Sequence, residues 1–180
     1  MEISIFMSCP RPFLQRQRDF IDMVTQYLES RGFKPRTLGV TDYDVNEPLT
    51  AVRRLVSESN GLLTIAFRRT FIRQGTGKPE SDLGEPDYDL SNQWTTSAWC
   101  HIEPAMAFQI GLPILILREK GVIDEGVLER GVTGTYLPEF DLDTPTIDYL
   151  QSNEWKQIIG IWEGYVRSVV DKKGRPPRLF

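Results

Sequence analysis

The stretch that decides the fold is residues 97–117, which read SAWCHIEPAMAFQIGLPILIL. Its last five residues, Pro113 to Leu117, form a short continuous apolar run that predicts a buried strand. The segment before this run carries a single carboxylate, Glu103, which is followed directly by Pro104. Proline has no amide hydrogen and is best tolerated in the first turn of a helix. We therefore predict that a helix begins beside Glu103 and leads into the buried strand.

Strands and helices alternate along the rest of the chain. Short apolar runs predict strands at 3–7, 34–38, 62–67 and 113–117, with a further short strand near 136–137. Apolar residues at three- to four-residue spacing predict helices over 13–28, 49–56 and 155–169. This alternation predicts a parallel sheet covered on both faces. The predicted fold class is α/β, a flavodoxin-like three-layer sandwich with a parallel sheet of about five strands.

The chain of 180 residues is long enough for one domain with a real core and too short for two of ordinary size. We therefore expect a single domain over residues 1–180. Residues 68–96 are polar, rich in Gly and Pro, and show no period, which predicts a long insertion loop. Residues 172–180 form a basic tail that we interpret as a solvated end.

Composition excludes several classes of function. The net charge of −4 provides no general basic field for nucleic acid, and no apolar run approaches the ~18 residues of a membrane helix. The N-terminus lacks the pattern of a signal peptide. Cys9, Cys100 and the single histidine, His101, are too few for a four-ligand metal site. We expect a cytoplasmic protein with reduced thiols, without metal or cofactor, that binds neither nucleic acid nor a membrane.

Glu103 is the leading candidate for chemistry. In parallel sheets, ligands bind at the carboxyl ends of the strands, where loops 8–12, 40–48 and 67–96 meet the start of the Glu103 helix. The helix dipole and free amide groups would favour the ionised carboxylate. An anion there suits a reaction that builds positive charge, such as cleavage of a ribose N-glycosidic bond. The alternative interpretation is that Glu103 only favours a helix start.

The pattern Ser97-x-Trp99-Cys100-x-x-Glu103 resembles the signature of TIR (Toll/interleukin receptor) domains. The similarity covers about residues 1–117, and the 68–96 insertion departs from the usual pattern. The resemblance implies that Glu103 cleaves nicotinamide from NAD, with hydrolysis or cyclisation of the remainder. NAD is then a substrate and not a cofactor. It also implies a bacterial-type role in defence or signalling, with activity that requires self-association or a separate activating sensor protein.

A second resemblance, through Glu103-x-x-x-Ala107-x-x-x-Gly111-x-Pro113, is to nucleoside deoxyribosyltransferases and nucleotide N-ribohydrolases. These enzymes release neutral bases, which usually need a general acid, whereas nicotinamide in NAD is already cationic. The third predicted strand ends at Arg68 without an acid, which favours NAD, although Asp42 or Asp44 would be possible acids. The alternatives to an NAD glycohydrolase or cyclase are thus a nucleotide N-glycosidase or transferase and a non-catalytic TIR interaction module.

Around the catalytic Glu103, the sequence predicts a substrate-binding set consisting of Ser8, Arg11, Asp42, Tyr43, Arg68 and Trp99. Arg11 and Arg68 follow two strands and would hold phosphates. Trp99 would stack on nicotinamide or adenine, although packing behind the site is its preferred role. We expect His101, two residues before Glu103, to point elsewhere.

Overall fold

The computed structural model describes residues 3–133 and 136–172. Its strands are β1 (Ile3–Ser8), β2 (Phe33–Arg36), β3 (Gly61–Ala66), β4 (Thr70–Ile72), β5 (Thr76–Gly77), β6 (Tyr88–Asp89), β7 (Gln93–Thr95), β8 (Ile114–Glu119) and β9 (Glu139–Phe140). Its helices are α1 (Gln15–Ser30), α2 (Pro48–Glu58), α3 (Trp99–Gln109), α4 (Thr146–Gln151) and α5 (Asn153–Lys172), with a 3-10 turn at Gly126–Leu128.

Five of these strands form one parallel sheet in the order β2-β1-β3-β8-β9. Counted within this sheet, the order is 2-1-3-4-5, which is that of flavodoxin-like folds. The predicted fold class is therefore confirmed. The chain first moves outward from β1 to β2 and then crosses back to β3, so β1 and β3 are neighbours at the point where the direction reverses. Their register pairs Ser8 with Thr64 near the carboxyl ends of both strands.

The two faces of the sheet carry separate apolar cores. Side chains of β1, β3 and β8 that face α1 and α5 pack with Phe20, Val24, Trp155 and Ile159. Side chains on the opposite face pack with Val52, Leu55 and Ala107 from α2 and α3. β3 and β8 are buried along their whole length, because helices cover both faces. This explains why their sequences are mostly apolar.

Two strands differ from the sequence prediction at the far edge of the sheet. β8 continues through Arg118 and Glu119, two buried charged residues that end the apolar run at Leu117. The Arg118 guanidinium is neutralised by Asp124 at 2.9 Å and Glu139 at 3.3 Å. β9 contains Glu139 and lies three residues after the predicted position. Ion pairs that form only in the folded sheet cannot be seen in an apolar pattern.

Residues 68–96, predicted as an irregular loop, contain two antiparallel ribbons, β4 with β7 and β5 with β6. The first ribbon is attached to the segment that follows β8, since the Trp94 amide donates to the Gly121 carbonyl at 3.3 Å and the Ile123 amide donates to the Trp94 carbonyl at 2.8 Å. Phe71 packs on Trp94 with ring centroids 4.9 Å apart. Strands of two or three residues are too short to show a period of two, so these ribbons could not be predicted from the apolar pattern.

No helix in the described ranges has both the length and the apolar character needed to cross a membrane. The last described residue, Lys172, ends α5. The remainder of the predicted basic tail, 173–180, lies outside the described residues.

Gly61 begins β3 beneath α5 and provides a test of this packing. A Cβ at Gly61 would lie 2.6 Å from Val166 Cγ2 and 3.2 Å from Trp162 Cζ2. Gly61→Ala is expected to lower the free energy of unfolding by about 1–3 kcal/mol, because two buried side chains must shift. In Gly160→Ala, within α5, the new Cβ meets nothing within 4 Å, so this control should be about 0.5–1 kcal/mol more stable than wild type. Urea denaturation measures both, and a Gly61→Ala protein as stable as wild type would contradict the packing.

Candidate active site

A cleft of about 350 Å³ opens at the carboxyl ends of β1 and β3. Its walls come from the loop after β1, the starts of α2 and α3, and the segment after β3. The lining residues are Cys9, Pro10, Arg11, Leu38, Pro48, Val52, Arg69, Ser97, Trp99 and Glu103. This is the point of the sheet at which the strand order reverses, where open α/β folds bind their ligands.

Glu103 lies in the second turn of α3 and is only 8% exposed. The prediction that a helix begins beside Glu103 is wrong, because α3 begins at Trp99 and holds Pro104 in its interior. The first turn is closed by the Cys100 and His101 amides, which donate to the Ser97 and Ala98 carbonyls at 2.9 and 3.0 Å. The free amide groups expected to stabilise an ionised Glu103 are therefore already used by the turn that precedes it.

Burial raises the pKa of Glu103 from 4.5 to about 7, and the hydroxyl of Ser8 opposes this shift in part. The expectation of a carboxylate held firmly in its ionised form is therefore wrong. The reason is that desolvation outweighs any benefit from the helix start. Near neutral pH the residue populates both the carboxylate and the carboxylic acid.

Ser8, a predicted substrate-binding residue, is buried at the end of β1 and is not among the residues that line the cleft. Among the described residues, the hydroxyl group of Thr64, its register partner, has no hydrogen-bond partner, and the Ser8 hydroxyl group makes only a weak contact, with the Glu103 carboxyl group. Ser8 acts on the Glu103 carboxyl group, where it favours the ionised form. The structure thus places Ser8 beside the candidate catalytic group. Its predicted contact with substrate stays a prediction.

Arginines line the cleft, but one of them was not predicted. Arg11 and Arg69 are both exposed there, and neither forms an ion pair with a described residue. Arg68, which the sequence favoured, points away: its Nε donates to the Lys120 carbonyl at 2.6 Å. The doublet Arg68–Arg69 is visible in the sequence, but nothing local to it indicates which of the two side chains faces the cleft.

Asp42 and Tyr43 do not line the cleft, and their predicted role in binding stays a prediction. Arg36 hydrogen-bonds to Asp42 and lowers the pKa of its carboxyl group, while Tyr43 is 78% exposed. Asp44 has a pKa of about 2, because it accepts hydrogen bonds from the Asn46 amide and from Arg54. Both aspartates are ionised at neutral pH, so neither is a proton donor for a leaving base.

The residues of the signature divide between cleft and core. Trp99 is 37% exposed and lines the cleft, so its preferred role of packing behind the site is not what the structure shows. Cys100 takes the core position instead and is fully buried. Burial raises the pKa of both Cys9 and Cys100 to about 12, and both are free thiols. His101 lies on another side of α3, in a separate depression lined also by Val122 and Glu125.

The described residues contain no group of three or more His, Cys, Asp or Glu side chains arranged to hold a metal ion. The functional groups that line the cleft are the Glu103 carboxyl group, two guanidinium groups, the Ser97 hydroxyl group, the Cys9 thiol and the aromatic face of Trp99.

Comparison with known proteins gives structural similarity only. No protein-family model and no curated protein sequence matches the chain. Among solved structures, the chain is similar to the CMP N-glycosidase BcmB of Clostridium botulinum, with 15% identity, a TM-score of 0.49, and coverage of 82% of this chain and 95% of that one. It is also similar to the TIR domains of the activated Roq1 resistosome, which recognises the pathogen effector XopQ. That similarity has 11% identity, a TM-score of 0.44, and coverage of 99% and 89%. At these levels neither assigns a family or an activity.

The raised pKa of Glu103 predicts a particular dependence of stability on pH. Between pH 4.5 and about 7 the folded state holds a proton that the unfolded state has lost, so stability falls as pH rises through this window. The total loss is about 3 kcal/mol. Glu103→Gln cannot ionise and should escape this loss, so its stability advantage over wild type should widen between pH 5 and pH 8.5.

Urea denaturation at both pH values measures this advantage, and Glu125→Gln is the control because Glu125 is exposed. An advantage for Glu103→Gln that is the same at both pH values would show that Glu103 is not desolvated in the folded protein.

Proposed function

We propose that this chain is an N-glycoside hydrolase that cleaves the nicotinamide–ribose bond of NAD, with Glu103 as its catalytic residue. The observation that carries the proposal is that Glu103 is the only carboxyl group among the described residues lining the cleft. Release of a neutral nucleobase normally needs an acid to protonate the base as well as a group that stabilises the ribosyl cation. Nicotinamide in NAD is a cation and leaves as a neutral molecule. A single carboxylate is enough for that reaction.

In the proposed reaction the bond between ribose C1′ and the nicotinamide nitrogen breaks, and its electron pair neutralises the pyridinium ring. Positive charge develops on the ribose ring beside the ionised Glu103, which stabilises it electrostatically. Water then adds to C1′ and releases one proton, giving ADP-ribose and nicotinamide. Attack by an atom of the same molecule in place of water would give a cyclic product.

Burial of Glu103 supports this role. A charge in a poorly solvated position interacts more strongly with a developing opposite charge than a solvated one does. Burial also makes Glu103 harder to ionise when no substrate is bound, as its raised pKa shows. The cationic substrate would reduce that difficulty by pairing with the carboxylate. Trp99 adds an exposed aromatic face on which a planar ring can stack.

The TIR-like signature also supports the proposal, because Ser97 and Cys100 both make contacts that hold the start of α3. The Ser97 hydroxyl accepts a hydrogen bond from the Trp99 amide at 3.4 Å at the start of α3. Cys100 packs in the core with Ala66 and Ile116. These contacts hold the first turn of α3 so that Glu103, one turn later, reaches the cleft. By the same resemblance we propose a role in bacterial-type defence or signalling, with self-association or a separate sensor protein required for activity.

The second candidate is a nucleotide N-glycosidase, and one observation favours it. With a pKa of about 7, Glu103 is protonated in a substantial fraction of molecules and is able to donate a proton to a neutral leaving base. In this case its role is that of a general acid. The two candidates therefore require opposite protonation states of the same residue.

The first test is release of nicotinamide from NAD by wild type, Glu103→Gln and the control Glu125→Gln. Glu103→Gln should lower kcat/KM by about 10²–10⁴-fold, because it removes the charge that stabilises the ribosyl cation. Glu125 lies outside the cleft, so its variant should keep wild-type activity. The assay is run over a range of protein concentrations to allow for self-association. Equal nicotinamide release by wild type and Glu103→Gln would refute the assignment. No release from NAD or from nucleotides at any concentration would favour a non-catalytic interaction module.

The second test is the pH profile of kcat/KM, which reports the ionisation of the free enzyme. If Glu103 acts as a carboxylate on NAD, kcat/KM should rise with pH and level off above about 7. If Glu103 is a general acid for a neutral base, kcat/KM for nucleotides should fall through the same range. A profile for NAD that falls above pH 7 would be incompatible with the proposed mechanism.

A further inference from the structure

Arg69 is a cleft residue that the 68–96 insertion supplies, and it follows β3 as Arg11 follows β1. We infer that Arg69 and Arg11 together form a subsite for the phosphate groups of a nucleotide, so that the insertion sets the substrate class of the cleft. The inference deepens the proposed function and rests on it in taking a nucleotide as the substrate. It also explains why an insertion is attached directly to the strand that borders the site.

Arg11 and Arg69 differ from the neighbouring arginines because their guanidinium groups have no ion-pair partner among the described residues. Other arginines near this end of the sheet are already paired: Arg36 with Asp42 and Glu58, Arg54 with Asp44 at 2.7 Å, and Arg118 with Asp124 at 2.9 Å. Arg11 and Arg69 have no such partner among the described residues, although both line a concave surface. A guanidinium group presents a planar fork of donors that matches phosphate oxygens. Their hydrogen-bonding capacity is therefore available to a ligand.

Hydrogen bonds on both sides of Arg69 fix its backbone without any ligand. The Arg68 amide donates to Glu119 Oε2 at 2.7 Å, and the Arg68 carbonyl accepts from Gln17 Nε2 at 3.2 Å. On the other side, the Arg69 amide donates to the Thr95 carbonyl at 2.9 Å, where the first ribbon begins. These bonds hold Arg68 away from the cleft. They leave the next side chain, Arg69, directed into it, which lowers the entropic cost of binding an anion.

The residues that line the cleft carry a net positive charge. The whole chain carries a net charge of −4, yet the charged residues lining the cleft are Arg11, Arg69 and Glu103. Two guanidinium groups outnumber one carboxyl group, so the local charge is positive within an acidic protein whether or not Glu103 is ionised. A positive cleft concentrates anions and discriminates against neutral nucleosides. Phosphate is the anion that a nucleotide carries and a nucleoside lacks.

The experiment compares binding of ADP-ribose and of adenosine by isothermal titration calorimetry. Arg69→Gln should weaken ADP-ribose binding about 10- to 100-fold, because a charge-assisted hydrogen bond is lost, and should leave adenosine binding unchanged. Arg69→Lys should recover part of the affinity, since it keeps the charge without the fork. Arg73→Gln is the matched control, an exposed arginine of the same insertion outside the cleft. The exposed Arg69 side chain makes no described hydrogen bond, so the variants should keep the urea midpoint of wild type.

Equal ADP-ribose affinity in wild type and Arg69→Gln would overturn the inference, as would wild-type protein that binds adenosine as tightly as ADP-ribose. Binding also separates this inference from the proposed reaction. If ADP-ribose binding depends on Arg69 but no nicotinamide is released, the phosphate subsite stands and the proposed chemistry fails. If nicotinamide is released from NAD at the same kcat/KM by Arg69→Gln, the chemistry stands and the subsite is wrong.

Discussion

The pairing of β1 with β3 is the constraint on which the rest of this structure depends. Because the chain leaves β1 in one direction and returns to β3 from the other, the loops beyond these two neighbouring strands diverge and leave a crevice between them. The loop after β1 supplies Arg11, and the segment after β3 supplies Arg69. α3, which packs on the same two strands, supplies Glu103 as the third charged group. The site is thus a consequence of strand order, and its charged residues come from three separate parts of the sequence.

Burial raises the pKa of Glu103, so ionising this residue costs the folded protein free energy. A carboxyl group that is 8% exposed and has no paired cation among the causes of its pKa shift is harder to ionise than a surface glutamate. The fold tolerates this cost because β1, β3 and β8 supply a large apolar core on both faces of the sheet. The same desolvation strengthens the interaction of the carboxylate with a cation. Desolvation therefore both destabilises the ionised carboxylate and strengthens its attraction to a positive charge.

The insertion between β3 and α3 contributes Arg69 to the lining of the cleft. Its first ribbon forms a small sheet of its own and is tied by backbone hydrogen bonds to the segment that follows β8. The polar residues where the insertion leaves β3 differ in what they contact. Arg68 and Glu119 hold the backbone in place, and Arg69 faces the cleft.

The sequence by itself determined the alternation of strands and helices and the parallel sheet, because apolar periodicity is a property of neighbouring residues. A local motif also predicted Glu103 as the candidate catalytic residue. Only the tertiary structure decided the protonation of Glu103, the choice between Arg68 and Arg69, and the exposure of Trp99. Each of these depends on groups far apart in the chain: burial of Glu103 against β1, the bonds of Arg68 to Glu119 and Lys120, and the packing of Cys100 in place of Trp99. Desolvation and side-chain direction are set by such long-range packing, which no local pattern encodes.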